Sequence, residues 1–94
     1  MPTYDTPASF LRDFHKLSLE DKKRFKAAVA RFVADLRTGK FRAGLRIKAV
    51  EGMDGCFEMS WAPDGRAIWT YGPEVREGEP HIVWLAVGDH SILP

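Results

Sequence analysis

Ninety-four residues, 45% hydrophobic and 29% charged, suffice for one domain and are too few for two separate cores. A single cysteine, Cys56, excludes an internal disulfide framework and fits a reducing compartment. The longest apolar run, residues 82–87, is far short of the roughly 18 residues that span a bilayer, and the opening MPTYDTPASF lacks the basic-then-apolar pattern of a secretory signal, so a soluble cytoplasmic protein is expected. The net charge of +1 hides a strong polarity. Residues 1–50 hold 12 basic against 5 acidic side chains, and residues 51–94 hold 2 against 8. A +7 half and a −6 half predict a basic surface suited to a polyanion or an acidic peptide.

Residues 4–6 read as a short strand or an extended lead-in. Thr6 then suits an N-cap, with Pro7 at the first helical position, where its missing N–H costs nothing. Phe10, Leu11, Phe14 and Leu17 fall on one face of a short helix. Ser18 opens a longer helix, and Asp21 stands three residues on as an acidic variant of the capping box. Phe25, Ala28, Val29, Phe32, Val33 and Leu36 keep helical spacing until Gly39 ends the run. Lys22, Lys23, Lys26, Arg31 and Arg37 take the other face. Residues 7–38 therefore predict a helical hairpin with a basic outside, and Phe32, mid-stripe, is its expected core anchor.

Beyond Gly44 the hydrophobic period changes from 3.6 to 2.0. Over residues 45–50, Leu45, Ile47 and Ala49 alternate with Arg46, Lys48 and Val50. The stretch EGMDG is a turn. In residues 56–61, Phe57, Met59 and Trp61 alternate with Cys56, Glu58 and Ser60. Pro63, Asp64 and Gly65 form a tight turn into a strand over 66–71. An acidic loop with Glu74, Glu77 and Glu79 leads to the nearly all-apolar strand 81–87, as suits a sheet interior, which Gly88 ends. The fold class that follows is α+β: a two-helix hairpin packed on one face of a small, largely antiparallel sheet of four to five strands. If Leu45, Ile47 and Ala49 point into the helices, Arg46 and Lys48 point to the helix-free side, where chemistry is expected. One cysteine and three histidines without CxxC or HExxH spacing predict no metal site, and no glycine-rich phosphate loop calls for a cofactor. His15 reads as a surface residue, His81 as structural and Cys56 as packing. Trp61 reads as core, while Trp69 and Tyr71 are aromatics able to stack on bases.

A helical hairpin followed by LRIKAVEGMDGCFEMSW, a DGR turn and IVWLAVGDHSIL resembles the RelE/ParE toxin superfamily over essentially the whole chain. The likeness is strongest to its RelE-, YafQ- and HigB-like ribonuclease branches, and Gly88, His90 and Leu93 match the G-x-H-x-x-[LF] tail of YafQ-like toxins. The resemblance implies the toxin of a type II toxin–antitoxin pair, a metal-independent mRNA endonuclease that acts on the ribosome and is neutralised by a cognate antitoxin. In that chemistry the ribose 2′-oxygen attacks the adjacent phosphate. The enzyme must move protons and stabilise an extra negative charge, which calls for cations and a group titrating near neutrality. By the same resemblance, Lys48 balances phosphate charge or shares in proton transfer, Arg66 grips the scissile phosphate, and His90 is the general acid or base. Asp64 orients His90 or contacts a base, Arg46 adds electrostatic attraction, and Ser60 stands where YafQ-like toxins place a second histidine. Glu58 and Ser60 depart from the family, because RelE-like enzymes carry lysines in that strand. Two alternatives stay open: a ParE-like gyrase inhibitor that cuts nothing, against which Lys48, Arg66 and His90 stand, and a catalytically silent toxin-fold binding module, which Glu58 and Ser60 favour.

Overall fold

Ser18 begins the longer helix as its sequence requires: the hydroxyl accepts the Asp21 N–H at 3.1 Å, satisfying one of the donors that a helix N-terminus leaves open. In the computed structural model, which describes residues 1–94, this is α2 (Leu19–Leu36), preceded by β1 (Thr3–Asp5) and α1 (Ala8–His15). There follow β2 (Lys48–Ala49), β3 (Cys56–Ser60), β4 (Gly65–Gly72) and β5 (His81–Asp89), with single 3₁₀ turns at Ala43–Leu45 and His90–Ile92. Thr6 does not cap α1. Pro7 does, with an extended ψ of 156° and its carbonyl taking the Leu11 N–H, so the helix starts at Ala8.

The five strands lie in the order β1-β5-β4-β3-β2, and every pairing is antiparallel except β1 with β5. Residues 4–6 were half legible: the strand is Thr3–Asp5, parallel to the start of β5. His81 ties it in place, with Nδ1 at 2.7 Å from the Thr3 hydroxyl and Nε2 at 3.0 Å from Asp5, so the residue is structural. Gly88 does not stop β5, which pairs with β4 as far as Asp89.

Residues 45–50 are the main correction. The chain makes a 3₁₀ turn through Leu45, and Arg46 then adopts a left-handed conformation (φ 50°, ψ 44°) that a non-glycine residue rarely takes. That reversal leaves room for only Lys48 and Ala49 to pair, with Glu58 and Phe57. Strict alternation of burial fails with it: Leu45 is buried, but Ala49 is exposed and Val50 is buried.

The helices cover one sheet face. Phe32, fully buried, sets its ring 4.8 Å from Trp69, 5.2 Å from Trp84 and 5.4 Å from Phe41. Trp69 is also completely buried, and Tyr71 faces the helix side of the sheet, so neither aromatic lies on the helix-free face. Trp61 is core, its indole N–H donating to the Arg66 carbonyl at 3.0 Å. No helix is long and apolar enough to cross a membrane.

Candidate functional site

The register decides what the other face displays. Cross-strand partners share a face, so pairing of Lys48 with Glu58, Glu58 with Ile68 and Ser60 with Arg66 places all of them on the helix-free side. Glu58 is buried among them. Its Oε1 lies 3.8 Å from Lys48 Nζ and 3.9 Å from Arg66 Nε, which brings the two cations to within about 8 Å of each other. Lys48 is largely exposed and free to swing, whereas Arg66 is mostly covered. Arg66 Nη1 donates to the carbonyls of Gly65 at 2.9 Å, Pro63 at 3.3 Å and Ala62 at 3.4 Å. The β3–β4 turn thus holds the guanidinium rigidly and leaves Nη2 without a protein partner.

His90 sits at the other side of this turn. Gly88 pairs with Arg66 across β4 and β5, and the chain then enters the 3₁₀ turn that carries the histidine. Asp89 fixes that turn by accepting from the Ser91 hydroxyl and, at 2.8 Å, from the Ser91 N–H, and these bonds hold its carboxyl below the usual range. His90 Nδ1 lies 2.6 Å from Asp64 Oδ1, and both side chains are exposed. A carboxylate on one ring nitrogen sets the tautomer and the ring orientation, so Nε2 is the nitrogen presented outward.

Arg46 and Ser60 bond to none of these groups. Both line a neighbouring pocket of about 260 Å³, together with Arg66 and Arg31, which reaches it from α2. Sequence reasoning placed Arg31 with the solvated helix face and gave it no role. It also treated Glu58 as a mere departure, whereas its carboxylate is the hub on which Lys48 and Arg66 meet. The pairing of Glu58 with Lys48 follows from the turn length of their hairpin and could have been anticipated; the approach of Arg31 could not. No group of three or more His, Cys, Asp or Glu side chains is placed to hold a metal ion.

By sequence, no family model and no curated protein matches the chain. By structure, solved proteins match along nearly all of it. A copper-bound mutant toxin from Helicobacter pylori is similar with a TM-score of 0.70 at 22% identity, covering 100% of both chains. The fold is RelE-like. The YoeB/ParE toxin from Agrobacterium tumefaciens has a TM-score of 0.69 at 13% identity over 94% of this chain and 98% of that one. The YafQ-type fold within the E. coli DinJ–YafQ toxin–antitoxin complex gives 0.68 at 14% identity over 98% and 96%. These neighbours confirm the α+β architecture of two helices on a mostly antiparallel sheet.

Proposed function

We propose that the protein is the toxin of a type II toxin–antitoxin pair and a metal-independent endoribonuclease that cuts messenger RNA, with the ribosome as its working platform. The observation that carries the reading is the meeting of Lys48 and Arg66 on one carboxylate oxygen of the helix-free face, at the turn that also holds His90 through Asp64. A phosphate arriving there meets a guanidinium already fixed by three carbonyls, which is the preorganised charge that stabilises a developing phosphorane. Lys48, mobile and exposed, follows the charge as it grows. His90, held at Nδ1, offers Nε2 to the 2′- or 5′-oxygen as general acid or base. As the 2′-oxygen bonds to phosphorus and the 5′-oxygen leaves, the products are a 2′,3′-cyclic phosphate and a 5′-hydroxyl.

The test is induced expression in cells with 5′-end mapping of messenger RNA, which keeps the ribosome in place, while cleavage of ribosome-free RNA by purified protein in EDTA checks metal independence. His90→Ala and Arg66→Ala should each lower the rate by about 10²–10⁴-fold without unfolding the chain. Full activity in both variants rejects the ribonuclease. The silent binding module is favoured by Glu58, whose charge offsets one of the two cations; it predicts no cleavage by the wild type but intact partner binding. The partner in either case is a cognate antitoxin, in keeping with the solved E. coli complex of YafQ with DinJ. An amphipathic segment of such a partner fits the apolar groove of about 340 Å³ between α1, α2 and the β1–β5 edge, where Tyr4 and Leu11 are exposed.

A further inference from the structure

The pocket beside the Glu58 cluster has an unusual charge lining. Arg31, Arg46 and Arg66 all border its 260 Å³, together with the Ser60 hydroxyl, and no carboxylate is among its lining residues. Arg31 and Arg46 are exposed, so water screens their mutual repulsion and an anion from solvent can reach both. The neighbouring acids are engaged elsewhere. Asp35 lies one helical turn beyond Arg31 and would be its natural i,i+4 partner, but Arg42 holds it with Nε at 2.8 Å and Nη2 at 2.9 Å. Glu58 is shared between Lys48 and Arg66. Neither Arg31 nor Arg46 forms an ion pair or a side-chain hydrogen bond, while Arg24 and Arg42 do. Arg46 is also the chain's only non-glycine residue with positive φ, so the backbone is held in a costly conformation at a point that lines this pocket.

We propose that this pocket is a second phosphate site, which takes the backbone phosphate next to the one gripped by Arg66 on a single RNA strand. Arg31 and Arg46 form its walls, Ser60 donates a hydrogen bond, and Arg66 is shared with the reaction centre. The chemistry suits a phosphodiester: guanidinium forks match two phosphate oxygens, and the hydroxyl serves a third contact. Two phosphates in adjoining sites fix the direction of the strand, so that one particular linkage lies against His90. The proposal rests on the ribonuclease reading only for that last consequence; the binding of a strand is independent of it.

The experiment uses the full chain and a fluorescent 2′-O-methyl oligoribonucleotide, which binds but cannot react. Anisotropy between about 50 and 200 mM salt gives the affinity and its salt slope. Arg31→Gln and Arg46→Gln should each weaken binding by about three- to tenfold and reduce the slope by about 0.7, the share of one phosphate contact on a single strand. Arg37→Gln, at the C-cap of the same helix but outside the pocket, should change neither, and thermal melting checks that every variant is folded. Equal losses for Arg37→Gln and Arg31→Gln would replace the pocket with a diffuse basic surface and overturn the proposal. So would unchanged binding in Arg31→Gln and Arg46→Gln. Wild-type protein that binds inorganic phosphate in this pocket but no oligonucleotide would overturn the assignment to a strand. If the arginines govern binding yet the wild type cleaves nothing, the site stands and the ribonuclease reading alone falls.

Discussion

Replacing Glu58 by Gln removes one charge while keeping the shape, and the structure says what should follow. The carboxylate oxygen lies 3.8 Å from Lys48 and 3.9 Å from Arg66. At an effective dielectric of 20, each such contact is worth about 4 kcal/mol before other terms. Lys48 is two-thirds exposed, so its share is screened to about 1 kcal/mol or less. Burial of the carboxylate cancels most of the Arg66 contribution, because desolvation costs several kcal/mol per ion. A net loss of about 1 kcal/mol remains, or a fall in Tm of about 4–8 °C for a domain of this size. The effect on binding runs the other way. Lys48 and Arg66 lose their counter-charge, so affinity for an uncleavable RNA strand should rise by about three- to tenfold, and the salt slope should steepen by about 0.7. Anisotropy at several salt concentrations measures both, with thermal melting in parallel. If Glu58→Gln binds the strand no better than wild type, with the same salt dependence, the carboxylate does not compete with phosphate and the cluster is not the strand's landing point.

Phe32→Ala should cost about 3–5 kcal/mol, because it opens a cavity between Trp69, Trp84 and Phe41; a Tm within two degrees of wild type would contradict that packing. Asp35 predicts an acid limb: the hydrogen bond from the Arg42 guanidinium, joined by its N–H, holds the Asp35 carboxyl at about 2, below its ordinary 3.8. A depressed folded-state value stabilises fully above pH 3.8 and loses that contribution as pH falls towards 2, so urea unfolding of Asp35→Asn should show a shallower loss between pH 4 and 2 than wild type.

How much of this was legible depended on range. The helices followed from apolar stripes and a Ser18 cap, both local; β3 followed from alternation, β4 from the turn before it and β5 from a nearly unbroken apolar run, also local. Residues 45–50 misled because alternation there is real but short, and the left-handed backbone of Arg46 interrupts it. Nothing in a pattern of side-chain polarity reports a positive φ at an arginine. The parallel pairing of β1 with β5 joins residues nearly eighty positions apart, and only the finished sheet supplies its partner. Lys48, Arg66, Asp64 and His90 were singled out by the resemblance to a toxin family, whereas no motif and no local pattern pointed to Arg31.

The polarity of the chain acquires its meaning at this site. Had the +7 half reported only a solvated lysine-rich helix, its cations would all lie on the outer face of the hairpin. Lys22 and Lys26 do stay with the hairpin, over the Phe14 ring of α1. Arg31, Arg46 and Lys48 do not: they turn towards β3 and β4, where the acidic half contributes Glu58 and one of its two cations, Arg66. The β2–β3 pairing is the covalent and hydrogen-bonded seam between the halves, and it sets Lys48 directly against Glu58. A single carboxylate cannot neutralise four cations gathered around that seam. The excess positive charge there is therefore a property of the fold, built from groups that the sequence keeps far apart, and a polyanion is the partner that would relieve it.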